Sequence, residues 1–113
     1  MGNDTLYGGQ AADTLKGGSG NDWLFGDEGS DLITTGSGED RVVLFSMNNS
    51  TDSITDFTVG EDMILLGGGL SFNDISFTNS GTSTIITANG QELAILENIT
   101  ANTLNDVNNF ATL

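Results

Sequence analysis

The 113-residue chain has no cysteine, no histidine and no proline, and its only cationic side chains are Lys16 and Arg41, against 16 acidic residues. Each absence excludes something. Without cysteine there is no disulfide and no thiolate site. Without histidine the usual imidazole bases and zinc ligands are missing, and no serine has an imidazole partner to activate it. The formal net charge of −14 argues against nucleic acid and against anionic membranes, since both need a basic footprint. No apolar run approaches the roughly 18 residues of a membrane-spanning helix, and no N-terminal signal peptide is visible. The balance favours cations as ligands. Such acidity with modest hydrophobicity also predicts that much of the metal-free chain is disordered.

What the sequence has in quantity is glycine and aspartate on one beat. Asp4, Asp13, Asp22, Asp31 and Asp40 stand nine residues apart. Two residues after each comes an aliphatic one: Leu6, Leu15, Leu24, Ile33 and Val42. The units are Gly2–Tyr7 (partial), Gly8–Lys16, Gly17–Phe25, Gly26–Thr34 and Thr35–Val43. Each reads as a six-residue turn followed by a three-residue strand. Glycines suit a turn whose backbone takes positive φ and approaches its neighbour closely. Strand alternation turns the central aliphatic inward and its two neighbours outward. Stacked strands then bury the row Leu6, Leu24, Val42 against the row Leu15, Ile33. Met1 directly precedes Gly2-Asn3-Asp4, part-way into a unit, so the sequence reads as a fragment of a longer chain with Met1 supplied for expression.

Gly17-Gly18-Ser19-Gly20-Asn21-Asp22-Trp23-Leu24-Phe25 resembles, at every fixed position, the calcium-binding nonapeptide of RTX proteins. That consensus is the known signature of the family. The resemblance implies an all-β fold, a right-handed parallel β-roll in which two nonapeptides make one coil, so that every second unit stacks on the same side. It also implies Ca²⁺ between coils, held by Asp carboxylates and main-chain carbonyls of the glycine-rich loops. Carried onto this chain, the carboxylate pairs are Asp4 with Asp22, Asp22 with Asp40, and Asp13 with Asp31, or about three ions. The loop residues implicated are Gly2, Gly8, Gly9, Gly17, Gly18, Ser19, Gly20, Gly26, Gly29, Gly36 and Gly38. Hard oxygen donors in a flexible cage suit Ca²⁺ better than Mg²⁺. The competing reading is a plain solenoid whose Asp residues only make turns, which leaves stacked carboxylates with almost no Lys or Arg to pair them.

Departures from the repeat lie at Ala11, Asp27 and Thr35, each where the pattern has glycine. The Ala11 unit weakens the Asp13/Asp31 site. Asp27 and Glu28 read as solvated turn residues, with Asp27 also placed to add a ligand. Outward positions carry Tyr7, Trp23 and Phe25, either an aromatic platform for a sugar or surface, or a face packed against another part of the chain. A regular Thr/Asn row, as ice binding would need, is not present.

Beyond residue 43 the beat stops and the strand lengthens through Val42-Val43-Leu44-Phe45. Asp52/Ile54 and Asp62/Ile64 repeat the signature, predicting two more rungs, similar to the segment closing the rolls of RTX proteases. Asp52, Asp56 and Asp62 are candidates for a further Ca²⁺. An EF-hand is excluded, because Phe57 occupies the place of its glycine. Gly67-Gly68-Gly69 reads as a flexible joint. Strands follow at Ile75–Thr78, Ser83–Ala88 and Glu92–Leu96, with a turn at Asn79-Ser80-Gly81 and a type I′ hairpin signal at Asn89-Gly90. A short helix is expected over Thr100–Val107. This hairpin region is suited to cap the solenoid's open end. The division is therefore 1–45 repeats, 46–66 closing rungs, and 67–113 a cap that resembles, at its tail Asn108–Leu113, the signal read by bacterial type I exporters. Together these resemblances imply a monomeric, non-catalytic module of a secreted bacterial protein, with calcium and the type I secretion machinery as partners. Paired carboxylates also occur in glycoside hydrolases, but here they recur as an array with no framework for a pocket.

Overall fold

Eleven strands and one short 3-10 helix are seen in a computed structural model that describes residues 3–8, 13–25, 30–45, 51–67, 70–88, 91–100 and 109–112. The strands are β1 Thr5–Tyr7, β2 Thr14–Lys16, β3 Trp23–Phe25, β4 Leu32–Thr34, β5 Arg41–Phe45, β6 Asp52–Ile54, β7 Met63–Gly67, β8 Ile75–Ser80, β9 Ser83–Ala88, β10 Gln91–Leu96 and β11 Phe110–Thr112. The first four fall on the three residues after each repeat Asp, where the nine-residue period places them. Alternate strands go to opposite sheets. One sheet has the order β1-β3-β5-β7-β11, and the other β2-β4-β6-β10-β9-β8. Within the roll all pairs are parallel, with Leu6 beside Leu24, Leu24 beside Val42, and Leu15 beside Ile33. This is a parallel β-roll, one coil for every two repeat units.

The core is the seam between the sheets. Leu24, Ile33, Val42, Ile54 and Ile64 are fully buried, Leu15 is buried, and Leu6 packs partly against them. One inward aliphatic per three-residue strand makes a thin core, so stacking many coils does what a single strand cannot. The two further rungs are present: Ile54 lies beside Ile33, and Ile64 beside Val42. The sequence separation between stacked Asp residues, 18 for Asp22/Asp40, grows to 21 for Asp31/Asp52 and 22 for Asp40/Asp62.

Past the rungs the second sheet changes character. β10 joins β6 in parallel, through Ile95 beside Ser53, and β9 and β8 then extend the sheet antiparallel. Three expectations shift here. The first hairpin turns at Gly81-Thr82, with Ser80 opposite Ser83, so Asn79 and Ser80 belong to the strand and not to the turn. Gly81 has φ +64, which a two-residue hairpin favours at its first position. Gly67 is not a joint but the paired, buried end of β7 beside Phe45; residues 68–69 lie outside the described residues. The tail is not merely an end: Phe110–Thr112 adds β11 in parallel to β7. Phe110 is buried, its ring 5.3 Å from Phe72 and 5.5 Å from Phe77. Asn89-Gly90 and the helix expected through residue 107 fall on residues 89–90 and 101–108, outside the described residues. Among the described residues, no helix is long and apolar enough to cross a membrane.

Candidate metal centre

The loops that enter the first sheet repeat their backbone. Gly18 and Gly36 have φ +81 and +88, and Gly20 and Gly38 have +102 and +103. These two glycine positions therefore cannot accept a side chain without strain. The loops also stack tightly: a Cβ on Gly36 would collide with the carbonyl of Gly18. The Ser37 amide reaches the Gly18 carbonyl at 3.1 Å, and the Gly17 amide donates to the Thr34 carbonyl at 2.9 Å. Gly8, on the other side of the roll, donates its amide to the Phe25 carbonyl at 2.7 Å. Ser19 is exposed at the loop tip. Gly2, Gly9, Gly26 and Gly29, with Ala11 and Asp27, lie outside the described residues.

The aspartates form two ladders up the roll. In the first, the amides of Asp4, Asp22 and Asp40 donate to Oδ1 of Asp22, Asp40 and Asp62 at 2.8, 2.8 and 3.0 Å. In the second, the amides of Asp13 and Asp31 donate to Oδ1 of Asp31 and Asp52 at 2.7 and 2.9 Å. Each carboxylate thus reaches back one coil and ties two turns together with one oxygen. The three pairs expected from the repeat are adjacent members of these ladders, and Asp31/Asp52 and Asp40/Asp62 extend them.

The second oxygen is the informative one. Oδ2 of Asp13, Asp22 and Asp40 is buried with no hydrogen-bond partner, and Asp22 and Asp40 are wholly buried. An anionic oxygen in that position is strongly unfavourable unless a cation faces it. The chain's two cationic side chains are elsewhere: Lys16 is exposed, and the Arg41 guanidinium lies over the Trp23 ring, 5.7 Å from its centroid. Beside Asp22 a second hard donor converges. A Cβ built on Gly17 would stand 2.7 Å from Asp22 Oδ2 and 2.5 Å from the Thr35 carbonyl oxygen. Buried carboxylate and carbonyl oxygens gathered around glycine, with neither thiolate nor imidazole, fit Ca²⁺.

RTX calcium-binding nonapeptide repeats, in four copies, match as a family over residues 1–22 and 7–42. The loops of residues 1–42 are RTX repeats. The fold agrees. The chain is similar to the solution structure of the AlgE6R3 subunit from the Azotobacter vinelandii mannuronan C5-epimerase, with 28% identity and a TM-score of 0.63. The similarity covers 97% of this chain and 73% of that one. It also matches the crystal structure of the extracellular lipase LipA from Serratia marcescens in fold, at 16% identity and a TM-score of 0.65, over 92% of this chain and 20% of the lipase. No curated protein sequence matches significantly.

The first ladder is not uniform along its length. Asp40 has its pKa raised from 3.8 to about 6, first by burial, then by the charges of Asp62 and Asp22, against the lowering effect of the Asp22 amide. Asp62 is raised in the same direction, again chiefly by burial, with the Thr58 and Asp40 amides opposing. A raised carboxylate pKa means the folded roll holds its proton longer than the unfolded chain. The contribution of these two groups to metal-free stability is therefore greatest below about pH 4 and falls as pH rises toward 6. Cation uptake runs the other way, since the ligand must be deprotonated. Were Asp40 to hold calcium in a fold that calcium drives, the calcium concentration that half-folds the chain, measured by circular dichroism, would rise as pH is lowered from 7 to 5. A pH-independent midpoint would contradict Asp40 as a ligand.

Two partners escaped the sequence reading. Asn3 Oδ1 accepts the Asn21 amide, and Asn21 Oδ1 accepts the Glu39 amide, each at 2.8 Å. This side-chain ladder runs beside the carboxylates, and the recurring Asn-Asp at 3–4 and 21–22 was its available signal. The other is Thr35, whose hydroxyl donates to Asp56 at 2.9 Å and to Asp62 at 3.2 Å.

Proposed function

We propose that this RTX roll binds Ca²⁺ between stacked loops and folds as it does so, serving stability and type I secretion of a larger extracellular bacterial protein. The observation that carries this is the set of buried, unpartnered Oδ2 atoms of Asp13, Asp22 and Asp40. Asp4, Asp22 and Asp40 with the carbonyls of Gly17–Gly20 and Thr35–Gly38 serve the first ladder, and Asp13 with Asp31 the second, for about three ions. Bound calcium supplies the positive charge that the chain itself lacks. The chain's own residues supply the rest: Oδ1 ties the coils, glycine lets them approach, and Oδ2 turns inward.

Ordering so many glycines opposes folding, as does stacking like charges. A site with Kd of order 0.1 mM in about 10 mM calcium contributes roughly 2.7 kcal/mol by mass action. Several such sites decide the state of a domain whose net stability is about 5–15 kcal/mol. In a low-calcium cytosol the chain then stays unfolded, the form that can thread an exporter, and it folds outside as a monomer without catalytic activity of its own. Circular dichroism over a calcium titration is expected to pass from a coil spectrum in chelator to a β-rich one at millimolar calcium. A β-rich spectrum in excess chelator would overturn the proposal.

A second reading rests on one feature. Tyr7 is 65% exposed and stacks on Phe25 with ring centroids 4.8 Å apart, with Trp23, 36% exposed, 6.3 Å from Phe25. The exposed ring surfaces are a platform on which a saccharide or other ligand can stack, with calcium then only structural. On a glycan array in calcium, Trp23→Ala is expected to lose at least tenfold in signal while keeping the β-rich spectrum. No bound glycan with the wild-type chain removes this reading.

A further inference from the structure

We propose that Asp56 is a built-in clamp that closes the last loop of the first ladder, doing with a carboxylate what the earlier loops leave to a cation, and so ends the run of calcium sites. The inference rests on the calcium reading above, and turns on how each carboxylate's lone pairs are used. A carboxylate offers about four acceptor positions. Asp22 and Asp40 each accept an amide on Oδ1 and leave Oδ2 without a partner. Asp56 is placed in the opposite way. Its Oδ1 accepts the Thr35 amide at 2.7 Å and the Thr35 hydroxyl at 2.9 Å, and its Oδ2 accepts the Gly36 amide at 2.8 Å. Asp62 is also engaged on both oxygens, with the Asp40 amide on Oδ1 and the Thr58 amide and Thr35 hydroxyl on Oδ2.

One coil earlier the corresponding amide, that of Gly17, donates to a backbone carbonyl, Thr34. In the closing coil a carboxylate arrives instead and takes two successive amides, which with Gly36 at φ +88 form a concavity that selects an anion. The donors that favour Asp56 also disfavour a cation there. This accounts for Thr35, the residue that breaks the glycine pattern at this one loop: glycine would have no hydroxyl to bridge Asp56 and Asp62. The loop above the clamp contains no glycine pair, and Phe57 buries its ring in the core. Asp56 and Asp62 are thereby assigned to closure, and the calcium ligands of the first ladder end with Asp40.

The test counts ions. Native mass spectrometry at saturating calcium, with a circular dichroism titration for the folding midpoint, is applied to the wild type, Asp56→Asn, Thr35→Val and Asp22→Asn. Asp56→Asn and Thr35→Val are expected to keep the wild-type ion count and to raise the calcium midpoint about 3- to 10-fold, whereas Asp22→Asn loses an ion. One ion fewer in Asp56→Asn overturns the clamp, as does an unmoved midpoint. Should Asp56→Asn stay unfolded at the highest calcium, Thr35→Val decides, since it loses only the hydroxyl and retains every carboxylate and the Thr35 main-chain carbonyl. Its unchanged count with a raised midpoint supports the clamp, and an unchanged midpoint overturns it. A wild type that takes up no calcium removes the calcium reading itself, and the clamp with it, by a result distinct from any of these.

Discussion

Gly36→Ala is expected to leave the chain without a β-rich spectrum at any calcium concentration. The φ of +88 alone costs an alanine about 1–2 kcal/mol. The larger effect is the stack. The added methyl meets the Gly18 carbonyl and lies within 2.9 Å of the Gly18 amide nitrogen, and both are backbone, so neither can swing away. Relieving the clash means parting two coils, and with them the contacts of Asp22 with Asp40 and of Ser37 with Gly18. Gly60→Ala is the control. Its φ is +96, equally unsuited to alanine, but a Cβ there meets nothing within 4 Å. It should cost only the local strain, with a folded spectrum and a modest fall in melting temperature. Equal effects from the two substitutions would mean that coil stacking is not what Gly36 protects.

That contrast marks what the sequence could and could not disclose. The nine-residue period encodes local geometry: which residue turns, which extends and which faces inward are all settled within one unit. Leu24, Ile33 and Val42 occupy the seam for that reason. The neighbours follow from the same period doubled, so the Asp22/Asp40 pair was legible two units apart. Legibility fails where separation stops being periodic. Asp40 meets Asp62 at 22 residues and Thr35 meets Asp56 at 21, and no repeat predicts either. The parallel seats of β10 on β6 and β11 on β7 are of this kind too. A hairpin signal or a stretch of alternating residues identifies a strand but does not say which edge it will occupy. Phe110 reads as a stray aromatic near the tail until Phe72 and Phe77 stand beside it.

Asp40→Asn is expected to move stability in opposite directions with and without calcium. Asparagine keeps an oxygen able to accept the Asp22 amide, so the tie between coils survives. What it removes is the charge. In chelator at pH 7 that charge is a liability: it is buried, its Oδ2 has no partner, and Asp22 and Asp62 repel it. Its loss should shift the metal-free equilibrium toward the roll by about 1–3 kcal/mol, seen as more residual β signal than the wild type shows in chelator. In calcium the same substitution removes an oxygen of the proposed site, and at 100-fold excess over Kd that site's binding contribution, roughly 2.7 kcal/mol, would be forfeited. The calcium midpoint should rise accordingly. pH supplies an internal check: at pH 5, below the raised pKa of about 6, wild-type Asp40 is already mostly protonated, so in chelator the two chains should converge. Destabilisation of the same size in both conditions would make Asp40 a structural acceptor only. It would also place the roll's stability in hydrogen bonds between coils, with no share for charge.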